Sequence, residues 1–152
     1  MTHDETTLVI ERTFDAPAEA VFDAWMTREQ WQAWVGPEGM DCAVPLLEPR
    51  VGGRYEIEMR MSDGSIIPVT GVFEVIDRPR ALRFTWGWAG DPDRQSVITL
   101  TFREAAGRTH FTLCQEGLKT VANRDAHRQG WTSALRKLER FLAERVSDAA
   151  HS

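Results

Sequence analysis

The chain has 152 residues, a formal net charge of −5, and 27% charged against 42% hydrophobic residues. A chain of that length buries about 70% of its unfolded surface, and its composition is that of a globular domain rather than a disordered segment. The absence of a Lys/Arg-rich run beside an acidic balance argues against a nucleic-acid partner, and no apolar stretch is long enough to span a bilayer.

The start "MTHDETTLVI" lacks the basic residues and apolar run of an export signal. Cys42 and Cys114 stand alone without CxxC spacing, as expected of buried thiols in a reducing cytoplasm. The expectation is a soluble, cytoplasmic, single domain over 1–152, with its core at 7–145.

In chain order, "TLVIERTF" reads as a strand, with Leu8, Ile10 and Phe14 on one face and Arg12 interrupting it. In "DAPAEAVFDAWM" the period becomes helical: Asp15 is the expected N-cap, Pro17 suits the first turn, and Val21, Phe22, Trp25 and Met26 recur at helical spacing. A second short helix follows in "REQWQAWV" from about Thr27, and "GPEG" ends it.

Six strands then succeed one another: "MDCAVPLLEP", "GRYEIEMRM", "IIPVTGVFEVI", "ALRFTWGW", "SVITLTFRE" and "RTHFTLCQ". The turn signals "RVGG", "SDGS", "DRPR", "AGDPDRQ" and "AAG" separate them, which predicts an antiparallel meander. Tyr55, Ile57, Met59 and Met61 share one face, and Glu56, Glu58 and Arg60 the other. Leu82, Phe84, Trp86 and Trp88 form a second inward stripe.

From about 121 to 145 the pattern is helical again. Trp131, Ala134, Leu135, Leu138, Phe141 and Leu142 form one apolar stripe, Thr120 or Asn123 caps the start, and Arg136, Lys137, Arg140 and Glu144 fall on the solvated side. The tail "SDAAHS" reads as frayed. A helix of twenty-five residues spans about 37 Å, enough to cross a sheet diagonally. The order is strand, two short helices, six strands and one long helix, an α+β architecture with the helices on one sheet face. A curved sheet around a long helix touches it along part of its length and leaves room for an apolar cavity.

This order, with "RTFDAPAEAVFDAWMTREQWQAWVGP", "VGGRYEIEM", "GVFEVIDRPRALRFTW" and "HRQGWTSALRKLERFL", resembles the START-like (SRPBCC, helix-grip) superfamily, and within it the Hsp90 ATPase activator homologue family. The combination of "APxxxVFxAW", "VGGxY" and "HxxGWxxxLxxLxxFL" carries the likeness, which covers roughly residues 7–145. The resemblance implies a curved antiparallel seven-stranded sheet wrapped around the C-terminal helix, and a cavity of the kind that holds apolar or amphipathic small molecules. It implies no catalytic set.

Binding of such a molecule is therefore the leading reading. The expected wall is Trp34, Tyr55, Met59, Phe73, Trp86, Trp131 and Leu135, with Trp88 and His127 at the ends. Trp86 and Trp88 could instead be core at a strand end, but the Gly/Asp/Pro loop beside Trp88 favours a rim, where an indole is apolar with one polar handle. Met59 and Met61 would fill core or give the wall adaptability.

His127 is one turn before Trp131, so the two share a helix face. It is either solvent-facing or a polar group able to orient a ligand carbonyl or act as a base, which makes it the one catalytic candidate. On that basis a cyclase- or hydrolase-like enzyme is the first alternative; a co-chaperone-type interaction module, which would need an exposed apolar patch, is the second. Gly130 costs about 1 kcal/mol relative to Ala in a helix, which close approach of another backbone or a ligand would offset.

His110 falls on the outer face with Thr112 and Cys114. No His/Cys/carboxylate set has ligand spacing, so neither a metal nor a cofactor is expected. Arg12 either turns outward at a kink or needs an acceptor, for which Glu48 is the candidate. "VGGR" lacks the Lys-Ser/Thr and helix of a phosphate loop and reads as a turn. A homodimer through the sheet edge or short helices is compatible with the pattern, but no particular residue specifies it.

Overall fold

The computed structural model describes residues 5–36, 39–88 and 95–151. The elements follow the expected order: β1 (Leu8–Phe14), α1 (Ala18–Met26), α2 (Arg28–Trp34), β2 (Asp41–Leu47), β3 (Arg54–Arg60), β4 (Ile66–Asp77), β5 (Ala81–Trp88), β6 (Gln95–Ala105), β7 (Arg108–Glu116) and α3 (Val121–His151). The seven strands form one antiparallel sheet in the order β1-β7-β6-β5-β4-β3-β2. Six strands pair as a meander, and β1 closes on β7. The fold is the helix-grip α+β fold.

Period-two alternation explains the sheet's two faces. Tyr55, Ile57 and Met59 are buried from β3, Leu82, Phe84 and Trp86 from β5, and Ile98, Leu100 and Phe102 from β6. They join Trp131, Ala134, Leu135, Leu138 and Leu142 of α3 in one core. Arg83 and Glu74 pair on the opposite face, at 3.0 Å. Between β6 and β7, Ala106 and Gly107 both take positive φ, 55° and 78°, as a two-residue hairpin loop whose twist matches the strands requires.

The β4–β5 ladder opens between Thr70↔Gly87 and Phe73↔Phe84. There the Val72 N–H donates to Thr85 Oγ1 at 2.9 Å, and the Tyr55 hydroxyl donates to the Thr85 carbonyl. The phenol reaches it by lying across Gly71, where a Cβ would come within 2.4 Å of the Tyr55 ring. Tyr55 thus spends its hydroxyl on the sheet rather than on a cavity. Its burial pushes the phenol pKa well above the usual value.

Several local expectations change. Asp15 does not cap α1; Pro17 holds the N-cap position, and the Ala18 N–H donates to Glu104 Oε1 of β6 at 2.8 Å. A tertiary carboxylate replaces the local one, while Asp15 lies 3.7 Å from Arg108. Arg12 turns outward and donates to the Glu11 carbonyl at 2.7 Å. Glu48 serves the "RVGG" turn instead, accepting from the Arg54 N–H at 2.9 Å. Thr120, rather than Asn123, caps α3 by accepting from the Asn123 N–H at 3.0 Å.

The backbone of α3 continues past 145 to His151, through residues read as a frayed tail. Lys137 is half-buried rather than solvated and donates to the carbonyls of Val35 and Gly36, at 3.2 and 3.3 Å. The loop read in "AGDPDRQ" lies, apart from Gln95, outside the described residues, as do Pro37 and Glu38 of "GPEG".

Candidate functional site

A cavity of about 220 Å³ opens between the first half of α3 and the β3–β5 part of the sheet. From α3 its wall takes Asn123, Ala126, His127, Gly130, Trp131 and Ala134. These residues make two parallel ridges of i, i+4 spacing. Asn123–His127–Trp131 is the bulky ridge; Ala126–Gly130–Ala134 is the small one, and it leaves the volume. One turn further the small ridge ends in Leu138, which is fully buried, and the helix meets the rest of the core. The closest backbone approaches of α3 are accordingly to β1, α2 and α1 rather than to β3, β4 or β5.

The sheet side is supplied by Met59 at the end of β3, Met61 just beyond it, Ile67 of β4, and Trp86 and Trp88 of β5. Val35, Gly36 and Met40, around the exit of α2, complete the wall. Lys137 holds the Val35 and Gly36 carbonyls from α3, so this border is tied to the helix. Among the described lining residues none is Asp, Glu, Lys or Arg, and His127 is the imidazole among them.

Three indoles define the mouth and flank. Trp86 stacks obliquely on Trp131, centroids 5.0 Å apart, and meets Trp88 edge-on at 6.4 Å. Trp88 in turn meets the His127 ring edge-on at 6.0 Å. Trp131 is held from behind. Its Nε1–H donates to Gln115 Oε1 at 2.9 Å, the Gln115 amide donates to Ser96 Oγ at 2.8 Å, and Ser96 Oγ donates to the Trp86 carbonyl at 3.3 Å. This buried chain locks α3, β7, β6 and β5 in one arrangement.

His127 Nδ1 lies 2.8 Å from the Asn123 carbonyl. A carbonyl can only accept, so Nδ1 carries the proton, and in the neutral ring Nε2 holds the lone pair. Asn123 itself is fixed by its amide donating to the Leu118 carbonyl at 3.0 Å. Both thiols are half-buried. Burial raises the pKa of each, a shift that Lys137 only partly offsets at Cys42, so neither is an activated nucleophile. Among the described residues no cluster of His, Cys, Asp or Glu could hold a metal ion. No helix among them is long and apolar enough to cross a membrane.

Of the nine residues expected at the cavity, Met59, Trp86, Trp88, His127 and Trp131 line it. Trp34, Tyr55, Phe73 and Leu135 do not. Trp34 packs edge-on against Trp25 at 4.6 Å and donates its N–H to the Ala24 carbonyl, as a clamp between α1 and α2. Tyr55 and Phe73 belong to a ring cluster with Phe84. Leu135 continues the helical stripe beyond the cavity and is buried in the core.

The lining residues that the sequence did not assign to the cavity are mostly small or lie in turns: Val35, Gly36, Met40, Ile67, Asn123, Ala126 and Ala134. The readable signal was the Ala126–Gly130–Ala134 spacing, which places three small side chains on one face of a helix otherwise stocked with Trp and Leu. The helix cost of Gly130 points to the same face, which its two small neighbours complete.

The sequence pattern of the Activator of Hsp90 ATPase homolog 1-like protein family matches residues 15–143. The chain belongs to this family. Solved structures extend the likeness. The AHSA1 protein from Silicibacter pomeroyi is 30% identical, with a TM-score of 0.75 over 91% of this chain and 99% of that one. A Chromobacterium violaceum protein, 23% identical, superposes with a TM-score of 0.84 over 91% of this chain and 98% of its own. An Arthrobacter aurescens protein, 22% identical, reaches 0.83 over 94% and 90%; these last two show the fold alone. No curated protein matches the chain significantly.

Proposed function

We propose that this family member binds a small apolar or amphipathic molecule reversibly in the cavity between α3 and β3–β5. The observation that carries this is the wall's chemistry: three indoles and the thioethers of Met40, Met59 and Met61 surround about 220 Å³. A well-packed interior does not leave such a volume where a helix could close on its sheet. Burial of apolar area, at about 25 cal/mol per Å², supplies most of the affinity. His127 and Asn123 mark a polar end that orients the ligand.

Native mass spectrometry of the purified protein, followed by denaturing analysis, tests the reading. The expected result is an extra mass released on unfolding, lost when Ala134→Leu fills the cavity without unfolding the protein. Retention of the same mass by a folded Ala134→Leu protein places the ligand elsewhere.

A second reading, turnover in the same cavity, has one observation in its favour. The Asn123 carbonyl fixes the His127 tautomer that leaves Nε2 basic in the neutral ring. It requires a substrate whose turnover, but not binding, is abolished by His127→Ala.

A further inference from the structure

The first half of α3 borders a second concavity besides the cavity described above. It measures about 500 Å³, follows the β7–α3 turn, and takes Ser96, Gly117, Leu118, Lys119 and Thr120 into its wall. Three residues line both spaces: Asn123, Ala126 and His127.

On the sheet side the two spaces are continuous. Trp86 of β5 lines the cavity and Ser96 of β6 lines the second concavity, and these two are cross-strand partners. The hydrogen-bonded chain from Trp131 through Gln115 and Ser96 to the Trp86 carbonyl joins the wall of one to the wall of the other. What separates them therefore stands on the helix. Ala126 is exposed and offers one methyl group. Asn123 is half-buried, with its amide committed to the Leu118 carbonyl at 3.0 Å. His127 alone of the three is buried. Its ring is held twice, by Nδ1 donating to the Asn123 carbonyl at 2.8 Å and by the edge-on Trp88 ring at 6.0 Å. The imidazole cannot turn aside without giving up both.

Resting on the binding reading above, we infer that His127 is a specificity-determining residue: its ring is the partition that ends the cavity and sets how long an apolar chain a ligand can bury there. The polar end of an amphipathic ligand then rests against the partition. Beyond it the wall turns polar, with Ser96, Lys119 and Thr120. Removing the ring joins about 220 Å³ to about 500 Å³, so a longer chain is buried and its polar end passes among those groups. Each methylene that finds room in an apolar site raises affinity about fourfold, and one that finds none adds nothing.

The test uses the 1-alkanols from butanol to decanol, one chemistry lengthened by single methylenes, with binding to the full chain followed by tryptophan fluorescence. Affinity should rise about fourfold per methylene up to a break and stay level beyond it. His127→Ala should move the break by at least two methylenes, about a fifteenfold gain for the longest alcohols. His127→Phe keeps the bulk and removes the Nδ1–H donor, and should leave the break in place. In the wild-type protein, bound hexanol should give NOEs to the Trp131 and His127 ring protons and none to the Leu118 methyls. Bound octanol should reach Leu118 only in His127→Ala.

A wild-type rise without a break, or hexanol NOEs to Leu118 in the wild-type protein, overturns the partition and leaves the cavity reading standing. So does a break that His127→Ala leaves in place, an equal loss at every length included, or one that His127→Phe moves as far as His127→Ala. If the wild-type protein binds none of the alcohols at millimolar concentration, the cavity reading fails and this inference with it. Should His127→Ala not fold, the wild-type break and NOE pattern decide alone.

Discussion

The six tryptophans divide into two triads with opposite fates. Trp25, Trp31 and Trp34 sit on α1 and α2 and are 0–1% exposed. Trp25 stacks on Phe111 at 5.8 Å, meets Trp34 edge-on at 4.6 Å, and lies 6.3 Å from both Trp31 and Phe84. Trp86, Trp88 and Trp131 adjoin them, with Trp131 only 5.7 Å from Trp25, but they border the cavity that Ala126, Gly130 and Ala134 line from the helix side. The same residue type fills space in one region and encloses it in the other. What distinguishes them is the opposing surface: two helices and a sheet converge on the first triad, whereas the second faces a helix ridge with little side chain. Aromatic content alone therefore does not mark a site; the small residues opposite it do.

The largest effect that can break this comparison is on stability. Trp25→Ala should cost about 3–5 kcal/mol, because Phe111, Trp34 and Trp131 lose a shared packing surface. Trp88→Ala, at a half-exposed ring on the cavity rim, should cost less than about 1 kcal/mol in urea denaturation. Similar losses at both positions would mean that the cavity end is packed as core, and the division of the triads would be lost.

Tyr55 sharpens the comparison by pH. It is the only tyrosine of the chain, so tyrosinate absorbance near 295 nm reports this residue alone. Its hydroxyl is buried and donates to the Thr85 carbonyl, and burial raises its pKa well above the usual value. An acid that binds its proton more tightly when folded contributes stability that is whole below its unfolded pKa, about 10, and is lost progressively above it. Tyrosinate should therefore appear only together with unfolding, with urea midpoints unaffected by this group at neutral pH and falling above about pH 10. A gradual tyrosinate titration of folded protein near pH 10 would place the phenol in contact with solvent, as a cavity residue rather than a core one.

The same two regions show what was legible in the sequence. The stripe Leu82, Phe84, Trp86 and Trp88 gives the inner face of β5, and period alone predicts it, because successive side chains of a strand must alternate. The helix order and the meander follow for the same reason. Depth along a stripe is a different matter. Phe84 lies in the packed cluster and Trp86 on the cavity wall two residues later, and only the partner elements decide which.

Tyr55 shares a face with Met59, and Phe73 pairs with Phe84 two residues before Trp86, but the curved sheet carries that face from packed core into open cavity within one strand. Glu104 capping α1 from β6, and Lys137 reaching the end of α2, were equally out of reach. Each joins residues far apart in sequence, and no local pattern announces them.

Lys137 gives the smallest stability effect and the finest cut between the regions. Its ammonium donates to the carbonyls of Val35 and Gly36, where α2 ends. Trp34, one residue earlier, is core, whereas Val35 and Gly36 border the cavity. A cation at a helix C-terminus is worth about 0.3–1 kcal/mol, so Lys137→Met, which keeps the stem and removes the charge, should lower stability by about that amount. The larger consequence should fall on binding, since the released carbonyls belong to the cavity's border rather than to the aromatic cluster. Affinity for a small apolar probe such as acetophenone should drop more than about fivefold, a loss above about 1 kcal/mol and so larger than the folding cost. A variant that loses several kcal/mol of stability yet binds the probe as wild type does would assign this contact to the core, and the boundary between the two triads would then lie beyond Gly36.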